Sequence, residues 1–197
     1  MAGGKRIARR LGATIVFADE AGQTLKPAKA RTWGRRGKTP ILKVRAKGGA
    51  RISIAGLVCY RPGHRSRLVY RTLIYRGRKG EAKGFREPDF AALLDAAHQQ
   101  LGTPIVLIWD NLGGHTSAAM RALIASRDWL CVFQLPAYAP ELNPAEGVWS
   151  SLKRGLANLI PGTIADLNQL VKTRLKQMQY VPDLIDGLLA GTGLSPL

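Results

Sequence analysis

Acidic residues are missing from a long stretch of this chain. Between positions 21 and 80 there is no Asp or Glu, against 17 Lys and Arg. The remaining residues carry 13 basic and 13 acidic side chains, so the whole net charge of +17 comes from that one block. Charge segregated in this way is the footprint of a polyanion binder; a surface that is merely soluble and basic scatters its cations. Cysteine is scarce too. Cys59 and Cys131 lie far apart inside apolar stretches, which excludes a zinc spacing and a disulfide framework and points to buried free thiols in a reducing compartment. No apolar run approaches the length of a membrane-spanning helix. The first ten residues are basic but lead into no apolar core segment, which excludes a secretory signal. Internal repeats and low-complexity tracts are also lacking. What remains is 197 residues with a 46% hydrophobic fraction, enough for one domain with a real core and a small appendage.

Periodicity gives the elements. Residues 1–12 read as a basic, poorly ordered lead-in. Residues 13–18 are apolar and β-branched, hence a buried strand. Residues 20–50 combine Gly, Pro and cations in a long loop, with a short strand near 41–45. Residues 51–60 and 67–75 form a hairpin about the turn Arg61-Pro62-Gly63-His64. Phe90, Leu93, Leu94 and Ala97 mark a helix over 88–100, stopped by Gly102 and Pro104. A strand at 105–109, a helix at 116–126 capped by Thr116 or Ser117, and a strand at 129–134 follow. Helices are expected from Pro144 to about 158, over 163–180 and over 182–190. The order describes a mixed α/β sheet with helices on its faces. In such a sheet the first strand lies beside the strand at 105–109. The expected fold is a ribonuclease H-like mixed five-stranded sheet flanked by helices, with a C-terminal helical extension. Its divisions are a lead-in at 1–12, a core at 13–160 and the extension at 161–197.

Three acids stand at informative places. Asp19 follows the first strand, Asp110 ends the apolar run 105–109, and Glu146 opens the segment Leu142-Asn143-Pro144-Ala145-Glu146. Ligands in open α/β sheets collect at the carboxyl ends of strands. Hard divalent cations need oxygen donors, and a few carboxylates on rigid elements supply them. Two such ions can activate an attacking oxygen and stabilise a leaving one. Each acid also has a plainer reading. Asp favours strand-end turns, and Glu146 at N3 behind an Asn143 cap is the capping-box position.

The ensemble decides between these readings. Trp109-Asp110-Asn111-Leu112-Gly113-Gly114-His115, the string Gln134-Leu135-Pro136-Ala137-Tyr138-Ala139-Pro140-Glu141-Leu142-Asn143-Pro144-Ala145-Glu146, and then Trp149 and Leu152-Lys153 closely resemble the catalytic core of DDE transposases, in the bacterial insertion-sequence branch of the mariner superfamily. Phe17-Ala18-Asp19-Glu20-Ala21-Gly22, Thr32-Trp33-Gly34 and Gly37-Lys38-Thr39-Pro40 look like the same family's first-acid region. The resemblance implies that Asp19, Asp110 and Glu146 are a catalytic, metal-binding triad for Mg²⁺ or Mn²⁺, with two ions. It implies hydrolytic nicking at transposon ends and attack of the freed 3′-hydroxyl on target DNA. Asn111, His115 and Asn143 take positioning or DNA-contact roles, and Glu20 and Glu141 rank below the triad as ligands. The partners implied are transposon-end and target DNA and a second copy in an active homodimer, with no membrane, at the nucleoid of a bacterial cytoplasm.

The basic block then supplies phosphate contacts. Its best candidates are Arg31, Arg35, Arg36, Lys38, Lys43, Arg45 and Lys47. Trp33 is expected to pack under the loop rather than stack on a base, and Arg67 and Arg71 are balanced between DNA contact and a solvated edge strand. Only 18 residues precede Asp19, too few for the helix-turn-helix segment that full-length relatives carry. A second reading follows: a non-catalytic, DNA-binding remnant lacking its recognition domain. A third, a resolvase-type nuclease, is disfavoured by the Pro-x-Tyr-x-Pro-x-Leu-Asn-Pro-x-Glu string.

Overall fold

The first strand, β1 (Thr14–Thr24), sends Ile15 and Phe17 to one side of the sheet and Val16 and Ala18 to the other, and all four are buried. That alternation, with cover on both faces, defines a central strand. In this computed structural model, which describes residues 2–27, 31, 33–38, 40–41, 49–111, 115–136 and 139–193, β1 has two neighbours. It pairs antiparallel with β2 (Arg51–Tyr60) and parallel with β4 (Ile105–Trp109). β3 (Arg67–Tyr75) lies outside β2, and β5 (Leu130–Gln134) outside β4, giving the order β3-β2-β1-β4-β5. This mixed five-stranded sheet with helices on both faces is the ribonuclease H-like arrangement expected.

The two faces have separate cores. One holds Val16, Ala18, Leu107 and Trp109 under α2 (Glu87–Leu101) and α3 (Ala118–Ala125). The other holds Ile15, Phe17, Ile54 and Val106 under α4 (Pro144–Leu156), α5 (Ile164–Gln179) and α6 (Pro182–Ala190). Val171 and Leu175 of α5 and Leu189 of α6 are fully buried there, each stabilising by about 1.5–3 kcal/mol. The C-terminal helices therefore share the sheet's core. Gly102 closes α2 at φ +63°, a left-handed cap that favours glycine. The cap of α3 is Ser117, whose side chain accepts from the Met120 N–H.

Three expectations need correction. The lead-in is helical: α1 (Ala2–Leu11) lies on the sheet, Ala8 is buried, and Gly4 sits against Val106 and Phe133. Its charge hides a narrow seam of small residues that approaches the sheet closely, a pattern that a search for large apolar residues passes over. β1 runs six residues past Ala18, because Ala21 and Thr24 still pair with Ile54 and Arg51. Asp19 thus lies inside a strand. Trp33 is fully exposed and does not pack under the loop among the described residues. The short strand expected near 41–45 lies almost wholly outside the described residues.

Candidate active site

Asp19 sits just past the last residues that β1 shares with β4. The parallel register of β1 and β4 ends at Phe17 beside Ile108, and two residues further on stand Asp19 and Asp110. Alternation sends Asp19 to the side of Phe17 and Glu20 to the side of Ala18, so these adjacent acids face opposite layers.

Asp19 is held from the α4 side. Its Oδ1 accepts the Glu20 backbone N–H at 2.8 Å, and its Oδ2 accepts the Trp149 indole N–H at 3.0 Å. Trp149 reaches it by lying across β2 at Gly56, which is the register partner of Asp19. A Cβ at Gly56 would fall 2.5 Å from Trp149 Cη2, so only glycine admits the ring. Burial pushes the Asp19 carboxyl up to about 6, the charges of Glu146 and Asp110 push the same way, and the two hydrogen bonds oppose them.

Glu146 lies one helical turn before Trp149 on α4, and its charge is felt at Asp19. Its carboxylate is free of capping work. Asn143 caps α4 by accepting from the Ala145 N–H at 3.1 Å, and its own N–H donates to Pro140 O at 2.9 Å. The reach-back that would complete a capping box is therefore already supplied. Asn143 is buried, and a single 3-10 turn at Pro140–Leu142 leads into it.

Asp110 is held from the opposite layer. His115 Nδ1 lies 2.6 Å from Asp110 Oδ1, and Nε2 lies 3.2 Å from Glu20 Oε1. The imidazole is 4% exposed, stacks on Trp109 with centroids 3.8 Å apart, and meets Phe90 edge-on at 5.3 Å. Donor and acceptor roles at its nitrogens follow the tautomer, and the doubly protonated ring donates to both carboxylates. Asn111 Nδ2 donates to Leu135 O at 3.0 Å, tying the ends of β4 and β5 together. Gly113, Gly114 and Tyr138 of the motifs lie outside the described residues.

Oxygen-only donors whose charges meet at Asp19 suit a hard divalent cation, because a cation there would offset the repulsion that raises its carboxyl. The donor set is open. Among the described residues no three His, Cys, Asp or Glu side chains stand close enough together to form a closed metal cage. Of the basic candidates, Arg31, Arg35, Arg36 and Lys38 are exposed, and Lys43, Arg45 and Lys47 lie outside the described residues. Sequence reasoning ranked Glu20 low and gave Gly56 no role, although an isolated glycine inside a strand signals close approach of another group.

The family model described as DDE superfamily endonuclease matches residues 14–171. A search of curated protein sequences returned no match. Among solved structures, the chain is similar to the Mos1 transposase paired-end complex with left transposon end, at 16% identity and TM-score 0.61, covering 100% of this chain and 60% of that one. It is similar to the mariner Mos1 paired end complex with Mg, at 18% identity and TM-score 0.62, covering 98% and 60%. The catalytic domain of Mos1 mariner transposase matches at 16% identity and TM-score 0.54, covering 98% and 89%. The chain thus spans 60% of the length of the Mos1 chains in the paired-end complexes.

Proposed function

Because the chain belongs to the DDE superfamily endonuclease family, we propose that it is the catalytic domain of a transposase that cuts and joins DNA, of the bacterial insertion-sequence branch of the mariner superfamily. The observation that carries this reading is the bond from Trp149 to Asp19. It ties α4, which carries Glu146 one turn before Trp149, to Asp19 in β1, two residues past the register of β1 with β4. Core 13–160 does the chemistry, and 161–197 buttresses it.

Asp19, Asp110 and Glu146 are the proposed ligands of Mg²⁺ or Mn²⁺, two ions in the active state. When bound, these ions supply Lewis-acid activation of the attacking oxygen and offset charge on the leaving one. The chain's own residues do the positioning. Trp149 and the Glu20 N–H fix both oxygens of Asp19 while leaving each a free lone pair. His115 fixes Oδ1 of Asp110. Asn111 holds the segment that carries Asp110, and Asn143 caps the helix that carries Glu146. The proposed reactions are two in-line displacements at phosphorus. Water attacks at a transposon end, breaking the bond to the 3′-oxygen; the freed 3′-hydroxyl then attacks a target phosphodiester, and one P–O bond forms as another breaks. Neither needs a covalent enzyme intermediate. Arg31, Arg35, Arg36, Lys38, Lys43, Arg45 and Lys47 contact backbone phosphates in this reading, and the described four carry no ion pair among the described residues. The active complex is a homodimer on transposon-end and target DNA at the bacterial nucleoid. Among the described residues no helix is long and apolar enough to cross a membrane.

The basic block at 21–80 would equally serve one competitor, a DNA-binding remnant that keeps the fold without the chemistry. Supercoiled plasmid incubated with Mn²⁺ separates the two. Catalysis predicts metal-dependent nicking that falls to background in Asp110→Asn. Binding without nicking in both proteins supports the remnant.

A further inference from the structure

Far from the carboxylates, at the other end of the sheet, a second group of cations gathers around two adjoining cavities. One, of about 120 Å³, is lined by Arg61, His64, Arg65 and Arg67 from the β2–β3 turn and the start of β3. The other, of about 640 Å³, is lined by Lys5 and Arg9 of α1, and Arg61 borders both. Tyr60 pairs with Ile15, four residues before Asp19, so Arg61 lies about 17 Å from Asp19 at about 3.4 Å per residue. No carboxylate lines either cavity among the described residues.

The surface is built and left uncompensated. Gly63 at φ +74° and the His64 N–H donating to Arg61 O at 3.1 Å fix the turn. Arg67 spends one guanidinium N–H on Gln100 O at 3.0 Å, leaving the rest of its donor fork free. Ser66, between Arg65 and Arg67, is buried with its hydroxyl unpartnered. Among the described residues two arginines elsewhere are paired with acids, Arg127 with Asp95 and Arg76 with Glu81. Here Lys5, Arg9, Arg61 and Arg65 have no ion pair among the described residues. Like charges brought together by three separate segments repel one another, and a polyanion removes that cost. Two cavities sharing one arginine extend the cations beyond the reach of a single phosphate, which fits a phosphodiester backbone.

We propose that the β2–β3 turn and α1 form a second contact surface for the backbone of duplex DNA, remote from the carboxylates; it rests on the reading of this chain as a DNA-acting enzyme. The full chain carrying Asp110→Asn is titrated into a labelled 40-bp duplex in EDTA, at NaCl from 50 to 200 mM. Adding Arg61→Ala and Arg65→Ala is expected to make the log–log salt dependence shallower by about 1.8. The ratio of affinities at 50 and 200 mM then shrinks about 12-fold. Lys172→Ala with Lys176→Ala on α5 removes the same charge and is expected to leave that slope unchanged. Arg61→Gln with Arg65→Gln repeats the measurement if the alanine pair unfolds. A parent that binds while the hairpin pair keeps its slope, or while both pairs lose slope equally, overturns this inference alone. A parent that does not bind the duplex overturns the DNA reading with it.

Discussion

Asp19→Asn should stabilise the metal-free protein at neutral pH while abolishing its chemistry. Asp19 is raised from 3.8 to about 6, chiefly by burial and then by the nearby Glu146 and Asp110 charges. A carboxyl raised in the folded state holds more protons there than in the unfolded chain between those two values. Stability therefore falls as pH rises through this window, and the penalty is complete above it. A difference of about 2.2 units corresponds to about 3 kcal/mol at pH 8, falling to about 1.6 at pH 5 and about 0.6 at pH 4. Asparagine avoids this penalty but has one acceptor oxygen for two N–H donors, from Glu20 and Trp149, a loss of about 1 kcal/mol. The variant should be more stable by about 2 kcal/mol at pH 8, or about 4–8 °C in Tm, with the two proteins crossing near pH ~4.5. Thermal and urea unfolding in EDTA at pH 4, 5 and 8 measures this. Adding Mn²⁺ should raise the wild-type Tm and leave the variant's unmoved. A variant less stable than wild type at pH 8, or a difference that does not change with pH, would refute the reasoning.

Trp149→Phe keeps a ring over Gly56 but removes the donor to Asp19 Oδ2; Mn²⁺ binding measured by calorimetry should weaken about 10-fold with a stability loss of about 1–2 kcal/mol. Gly56→Ala drives a Cβ to 2.5 Å from Trp149 Cη2 and should cost about 1–3 kcal/mol in urea unfolding. If Gly56 acts through Trp149, the double variant should lose clearly less than the sum of the two; full additivity would sever that link.

Most of the element order was legible because apolar alternation and turn residues are local signals. The strands at 51–60 and 67–75 and the helix at 182–190 fall where periodicity put them. Whatever depends on a distant neighbour was hidden. β1 continues to Thr24 only because β2 is beside it, and α1 is ordered by a seam of small residues against Val106 and Phe133. At the site, Asp110 was readable as a strand-end residue and Glu146 as a helix-start residue, whereas Asp19, read as a strand end, lies inside β1; motif resemblance grouped the three. Their supports were not. Gly56 and Trp149 lie 93 positions apart, and nothing local ties either to Asp19.

Those supports give β1 a particular architecture. Asp19 and Glu20 are adjacent, and a strand must send them to opposite faces. On one face Asp19 takes the indole N–H of Trp149, which anchors the layer carrying Glu146. On the other, Glu20 takes His115, which is wedged between Trp109 and Phe90 and fixes Asp110. Two neighbouring acids thus tie one strand to both helical layers, each through a polar atom on a buried ring. Glu20 need not touch a metal to matter. It anchors the histidine that orients Asp110, as Trp149 orients Asp19. These supports hold both oxygens of Asp19 and Oδ1 of Asp110 on β1 and at the end of β4, while Glu146, in the first turn of α4, is exposed.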